Sequence, residues 1–427
     1  MSNISTLAEV RPTRMVQHPT LKRVFWAAGL IMLAFGTVGV VDRLANGHSN
    51  AGYNNVVVWG QWVANYIFFI GLSAGAFLLS SLVYVFNVQR FESIGRHAVF
   101  TALVTLLLAL VSIVFDLGHM DRAWHVMTFA NFKSPMAWMI YLYSFYTLVL
   151  ATEMWFILRR DLVRGAKQSG WRRGIYRIAA LGSRDDSHEA AVRDRNVVRV
   201  LATIGVPVAI TFPACVGALF GTVAARPHWH SGLFPILFLL SAVVSGGALL
   251  LVVAAVFKDG LTRNRMLIVD LGKLVLAVLL LDVMLQISEF LVAFRGGIPG
   301  HTAGLRLMLF GPKSGVFWFL QVALGVLIPV LLLVGPWRTR AGAVAAAGAL
   351  IAVGIYGLRL NIVIPGLAAE EVRGLTEAVT TARISADYFP SMSEWMLSFA
   401  VLGFGFLLFG VGEVLLPHET NDNGART

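Results

Sequence analysis

Long apolar stretches recur along this chain, separated by short polar or charged connections. They fall at roughly 24–41, 59–88, 97–115, 135–158, 197–222, 232–257, 269–293, 314–335, 341–363 and 393–415. Each meets or approaches the twenty or so residues that a helix needs to cross about 30 Å of hydrocarbon. Inside lipid, every backbone N–H and C=O must be satisfied within its own segment, so such runs are helices. A membrane β-barrel would show ten-residue segments of alternating polarity, and none is visible. The pattern predicts an all-α polytopic membrane protein with about ten transmembrane helices.

The runs carry an internal echo. SAGAFLL (Ser73–Leu79) matches SGGALLL (Ser245–Leu251) at an offset of 172, and KSPMAW (Lys133–Trp138) matches KSGVFW (Lys313–Trp318) at 180. Asp116 precedes Glu289 by 173. The expectation is two related four-helix bundles in parallel arrangement, with a flanking helix at each end. The chain divides accordingly into 1–23 (N-terminal segment), 24–58 (anchor helix and loop), 59–222 (first bundle), 223–363 (second bundle) and 364–427 (loop, last helix and tail).

Composition agrees: 57% hydrophobic and 13% charged residues, where soluble domains are about one quarter charged. The net charge of +11 raises the question of nucleic acid, but its distribution answers it. Sorting the 34 Lys and Arg residues by alternate sides puts most of them on one side. That side holds Arg11, Arg14, Arg90, the run from Arg159 to Arg199, Lys258, Arg263, Arg338 and Arg426; the other holds Arg122, Lys133, Arg373 and Arg383 among a few more. The positive-inside rule places the basic side and both termini in the cytoplasm, facing anionic lipid. No small-residue cleavage pattern follows the first run, which reads as an uncleaved anchor.

The opposite side carries the longer loops, including Phe115–Pro135, with Asp116, His119, Asp121, Arg122, His125 and Lys133 in one connection. A carboxylate and an imidazole near a membrane boundary can pass protons between a bound hydroquinone and water. That makes Asp116 and His119 candidate proton carriers, against the plainer reading of solvated interfacial side chains. Gln61, Asn65 and Tyr66 lie in the outer third of the second run, with Gln61 and Asn65 one turn apart. They read as a pocket for an amphipathic ligand or as interhelical hydrogen bonding. Asp282 and Gln286 fall mid-span and Glu289 near the outer end; a mid-membrane carboxylate must face the bundle interior, as a structural acid or a proton path. Arg359 and Asn361 are positioned to partner Glu289. Glu153 is placed near the cytoplasmic interface. None of the ten histidines falls mid-span, which argues against bis-histidine haem, and Cys215 alone cannot hold zinc or an iron–sulfur cluster. No P-loop, H-E-x-x-H or dinucleotide fingerprint is present.

At 65–86 and 116–143, NYIFFIGLSAGAFLLSSLVYVF and DLGHMDRAWHVMTFANFKSPMAWMIYLY resemble the polysulfide-reductase NrfD-type membrane subunits. RLNIVIPG (Arg359–Gly366) and YFPSMSEW (Tyr388–Trp395) resemble that family's ten-span branch, which includes membrane subunits of hydrogenases and menaquinol oxidoreductases. The resemblance implies a haem-free site for menaquinone or ubiquinone near the periplasmic face, lined by Gln61, Asn65, Tyr66, Asp116, His119 and Trp138, and a proton route through Asp282, Gln286, Glu289 and Arg359. Tyr66 stands where the polysulfide-reductase subunit has a quinone-contacting histidine. It further implies a bacterial inner-membrane location, a periplasmic ferredoxin-like four-cluster partner, and a catalytic subunit that is a molybdopterin enzyme, a hydrogenase or a multihaem cytochrome. No haem, metal or nucleic acid is expected on this chain. The competing readings are a secondary transporter and an anchor that has lost its quinone site.

Overall fold

The computed structural model describes residues 19–415 except 89–90, 169, 257–260, 262–263, 371, 373, 375–377, 379–380 and 382–383. Most of the N-terminal segment, the tail, and Arg11, Arg14, Arg90, Lys258, Arg263, Arg373, Arg383 and Arg426 of the charge argument lie outside the described residues. Among those described, ten long helices form in chain order: α1 Pro19–Asn46, α2 Gln61–Tyr84, α3 Glu92–Asp116, α4 Pro135–Lys167, α5 His188–Gly221, α6 Phe234–Val256, α7 Arg265–Arg295, α8 Val316–Val334, α9 Ala341–Ala368 and α10 Met392–Leu415. Nine of them are long and apolar enough to cross a membrane. The other is α7, whose 31 residues have ample length but whose apolar pattern is interrupted by Asp270, Lys273, Asp282 and Glu289.

Local signals set several boundaries. Ser134 caps α4, its hydroxyl accepting from Met136 N at 3.3 Å, and Pro135 supplies a first-turn residue with no N–H to satisfy. Ser187 caps α5 by accepting from Ala190 N at 3.1 Å. The first part of α8, Val316–Leu327, is a π-helix and Ile328–Val334 is α-helical.

Packing runs in two rings. α2 touches α3 and α5, α4 touches α3 and α5, and this closes the first. In the second, α6 packs on α7 and α9, and α8 packs on α9. The rings join mainly through α2 and α6, where the two echoing stretches meet. A Cβ on Gly75 would sit 1.9 Å from Ala242 O, and one on Gly246 would sit 2.2 Å from Ala76 N, so only glycine permits this backbone contact. α2 is therefore the central helix, with 83% of its apolar window buried, against 17% for α1. α1 pairs with α10, and α10 leans on α3 and α2.

The connection expected as a plain loop after α7 contains a helix, Pro299–Phe310, which caps the second ring against α9 and α7. Its Pro at the first turn and buried Leu305 and Met308, three apart, account for it. Glu153, expected near the cytoplasmic interface, has its side chain fully buried in the bundle, and both carboxylate oxygens lack a hydrogen-bond partner among the described residues.

Candidate functional site

The N-terminal end of α2 faces α9 and α10 through one turn of polar residues. Gln61 and Asn65 share that face as their spacing requires. Gln61 Nε2 donates to the Tyr356 hydroxyl at 3.2 Å, which donates to Asn65 Oδ1 at 3.0 Å. Asn65 Nδ2 donates to Ser398 Oγ at 2.8 Å. Gln61 N donates to the Tyr388 hydroxyl at 2.8 Å, and that hydroxyl donates to the Glu394 carboxylate. Glu394 also accepts from Gly52 N at 2.8 Å and Ser391 N at 2.9 Å, and it is wholly buried. One side-chain atom of this network is unserved among the described residues: Gln61 Oε1 is buried without a partner there.

Asp116 ends α3 beside this cluster. It accepts from the Tyr53 hydroxyl at 3.0 Å, and the Tyr53 ring lies 6.2 Å from the Tyr388 ring. Arg43 holds the helix end, donating to Phe115 O at 2.8 Å and Leu117 O at 2.6 Å. In the loops, burial raises the Tyr53 and Tyr388 phenols, with Asp116 and Glu394 respectively adding to the effect, so both remain protonated donors. Burial, with Arg43 adding, holds His48 below the ordinary imidazole range.

The structure separates other members of the expected site. His119 turns outward, its side chain 70% exposed and its Nδ1 3.9 Å from Asp121. Trp138 is 52% exposed and donates to Phe132 O at 2.8 Å. Tyr66, five residues from Gln61, projects about 140° around the helix, since successive residues turn by about 100°. It faces the interior of the first ring towards Cys215 and Tyr143, and its hydroxyl makes no hydrogen bond among the described residues.

In the second ring, the acids and amides of α7 to α9 join up. Asn361 Nδ2 donates to Gln321 Oε1 at 2.7 Å, Gln321 Nε2 to Gln286 Oε1 at 2.9 Å, and Gln286 Nε2 to Asp282 Oδ2 at 2.7 Å. Each amide spends its oxygen on one neighbour and its NH₂ on the next, so the chain has a direction that ends at the carboxylate. Arg359 donates to Ser241 Oγ at 2.7 Å and lies 4.5 Å over the Phe238 ring. Asp282 Oδ1 and Arg359 Nε and Nη1 are buried with no hydrogen-bond partner among the described residues. They border a cavity of about 60 Å³ walled by Phe234, Phe238 and Phe290. At 10–15 Å³ per water centre, roughly four waters would fit. His228 and His301 line the same cavity, and burial, reinforced by His301, holds His228 down to about 4, hence neutral. Glu289 lines the space, but the expected partners go elsewhere: Arg359 to Ser241 and Asn361 to Gln321. Seven residues put Glu289 about 10 Å along the axis from Asp282, which is the acid that Arg359 feels.

Sequence reasoning missed Tyr53, Tyr356, Tyr388, Glu394 and Gln321. Tyr388 and Glu394 did leave a signal: both lie in the YFPSMSEW stretch at 388–395, and Glu394 is an acid four residues before Ser398 on one face of an apolar run.

The family pattern described as polysulphide reductase, NrfD matches residues 49–369. The C component of selenate reductase from Mesobacillus selenatarsenatis is 32% identical over 93% of this chain and 94% of its own length. The Hdr-like menaquinol oxidoreductase integral membrane subunit of Archaeoglobus fulgidus is 27% identical, covering 84% and 85%. The C component of polysulfide reductase from Wolinella succinogenes is 24% identical, covering 73% and 95%. With its full-length helical architecture, this chain belongs to the polysulphide reductase NrfD family and is a multi-pass membrane subunit of that kind.

Proposed function

We propose that this chain is the quinone-reactive membrane anchor of a respiratory oxidoreductase complex, exchanging electrons between quinol and an iron–sulfur partner subunit at the periplasmic face. The observation that carries the reading is the buried relay Glu394–Tyr388–Gln61–Tyr356–Asn65, which leaves Gln61 Oε1 free beside it. A free, buried carbonyl oxygen is an acceptor for a quinol hydroxyl, and leaving it unserved costs about 1–3 kcal/mol. A quinone bound there supplies two-electron, two-proton redox chemistry that the chain lacks. Asn65 and Tyr356 orient the Gln61 amide. Asp116, donated to by Tyr53, and Glu394, donated to by Tyr388, are the nearby carboxylates able to take a proton and release it to the outer loops. Tyr66 offers a donor on the opposite side of α2, facing the first ring. His119 and Trp138, on the exposed loop with Arg122 and Lys133, suit contact with a ferredoxin-like four-cluster subunit. That subunit would lead to a catalytic molybdopterin enzyme, hydrogenase or multihaem cytochrome. Asp282, Gln286, Glu289 and Arg359 line a hydrated proton route in the second ring. The basic charge distribution supports both termini on the cytoplasmic side, in a bacterial inner membrane as the family resemblance implies.

The test is quinol-driven reduction of the partner's clusters in the assembled complex. Asp116→Asn is expected to lower turnover by about a hundredfold or more, in line with the roughly 10²–10⁴ that general bases contribute. Unchanged turnover would remove Asp116 from the mechanism. The Asp282–Arg359 cavity, with the internal repeat and the mid-span acid, is what favours a transporter; quinol-independent proton flux in vesicles holding this chain alone would support that reading instead.

A further inference from the structure

The 33 residues of α4 span about 50 Å, well beyond a hydrocarbon core of about 30 Å. The chain then turns back. The short helix Arg173–Ala179 lies against α4, with Tyr176 buried on Gly165, where a Cβ would come within 2.4 Å of its ring. Trp155 Nε1 donates to Ala179 O at 3.0 Å. These two contacts, at Gly165 and through the long Trp155 side chain, pin the short helix along the C-terminal turns of α4, beside the end of its apolar part. The exit is locked: Arg159 pairs with Asp194 of α5 at 2.6 Å and donates to Ser183 Oγ at 2.6 Å.

What this returning segment shows to its surroundings is unusual for a water-facing loop. Trp171, Ile175, Ile178 and Leu181, spaced by four, three and three, are 69%, 40%, 77% and 74% exposed. Beside them stand Arg172, Arg173 and Arg177. Arg172 lies 5.2 Å over the Trp171 ring, and none of the three has a carboxylate partner among the described residues. Neighbouring cations, by contrast, are paired: Arg96 with Asp161, Arg159 with Asp194, Lys167 with Asp186.

We propose that residues 170–181 form an interfacial wedge that beds Trp171, Ile175, Ile178 and Leu181 in the adjoining leaflet and holds anionic phospholipid headgroups on Arg172, Arg173 and Arg177. An apolar face flanked by cations without carboxylate partners, pinned beside the end of a span's apolar part, matches the chemistry of that leaflet. The proposal is independent of the quinone reading.

The full-length chain, made cysteine-free by Cys215→Ala and reconstituted in nanodiscs of phosphatidylcholine with phosphatidylglycerol, tests it. Spin labels are placed at Ile178→Cys and, separately, Arg173→Cys. The label at 178 should collide with oxygen more than with a polar nickel chelate, and the label at 173 should show the reverse. Equal water exposure at both would overturn the wedge and make the face a protein-docking surface. For the headgroup, native mass spectrometry compares wild type with Arg172→Gln/Arg173→Gln/Arg177→Gln. Loss of three surface cations should weaken phosphatidylglycerol retention by about a hundredfold and leave phosphatidylcholine unaffected. Equal retention by a variant with wild-type thermal unfolding would overturn the anionic-lipid assignment.

Discussion

Replacing Gly246 by alanine adds one methyl group at the seam between the rings. That Cβ would lie 2.2 Å from Ala76 N and 2.3 Å from Gly75 C, while ordinary contact begins at 3.4 Å. Both neighbours are backbone, so no rotamer can relieve the clash. α2 and α6 must separate by about 1.2 Å, the difference between 3.4 and 2.2 Å. A gap of 0.5–1 Å already forfeits a quarter to a half of each dispersion contact along a helix pair. Overpacking of this kind costs about 1–3 kcal/mol, and alanine's better helix propensity offsets at most about 1 kcal/mol. We expect a net loss of about 2 kcal/mol. Equilibrium unfolding in mixed detergent–SDS micelles reads it directly. The control is Gly342→Ala in α9, where an added Cβ meets nothing within 4 Å and stability should hold or rise. If the two variants behave alike, α2 and α6 do not touch as described and the reasoning fails.

Asp282→Leu should destabilise more than the Asp282→Leu/Arg359→Leu double variant, because the single change leaves a buried guanidinium uncompensated; a double-mutant cycle should show coupling above about 1 kcal/mol. Arg159→Ala should cost about 3–5 kcal/mol in the same unfolding assay, since Asp194 would be left buried and unpaired. His228 is held neutral with its pKa lowered to about 4, so the unfolded chain binds the proton first as pH falls. Stability from this site is complete above about pH 6.5 and drains away towards pH 4, by about 3 kcal/mol for a shift from 6.5 to about 4; His228→Gln should flatten that part of the profile. Tyr388→Phe should lower quinol turnover while leaving the fold intact, since it deletes only the hydroxyl between Gln61 and Glu394; turnover equal to wild type would take Tyr388 out of the relay.

Helix number and class were legible because lipid forces long apolar runs into one conformation. The pairing of Gln61 with Asn65 was legible for a similar reason, the fixed angle per residue, and that same angle should have separated Tyr66 from them. The partners were not. Tyr53 and Tyr388 sit in loops that carry no periodicity, and their roles appear only once α3, α9 and α10 converge. His119 looked joined to Asp116 by proximity in sequence, but the backbone leaves the helix at Leu117 in an extended conformation and carries the imidazole outward. The second-ring amide chain was half visible: Asp282 and Gln286 share a face of α7, but Gln321 arrives from a π-helical stretch whose register an α-helical reading misplaces.

The final helix changes what truncation would mean. α10 brings Glu394 and Ser398, and the segment before it brings Tyr388, all C-terminal to the stretch shared across the family at 49–369. A chain cut after α9 would lose more than a lipid-facing strut. Asn65 would surrender the hydroxyl it donates to, Gly52 its acceptor, and Gln61 the phenol at its amide. The corner around the N-terminal end of α2 is therefore held from beyond the residues that the family pattern matches, by a helix and a loop that come last in the chain.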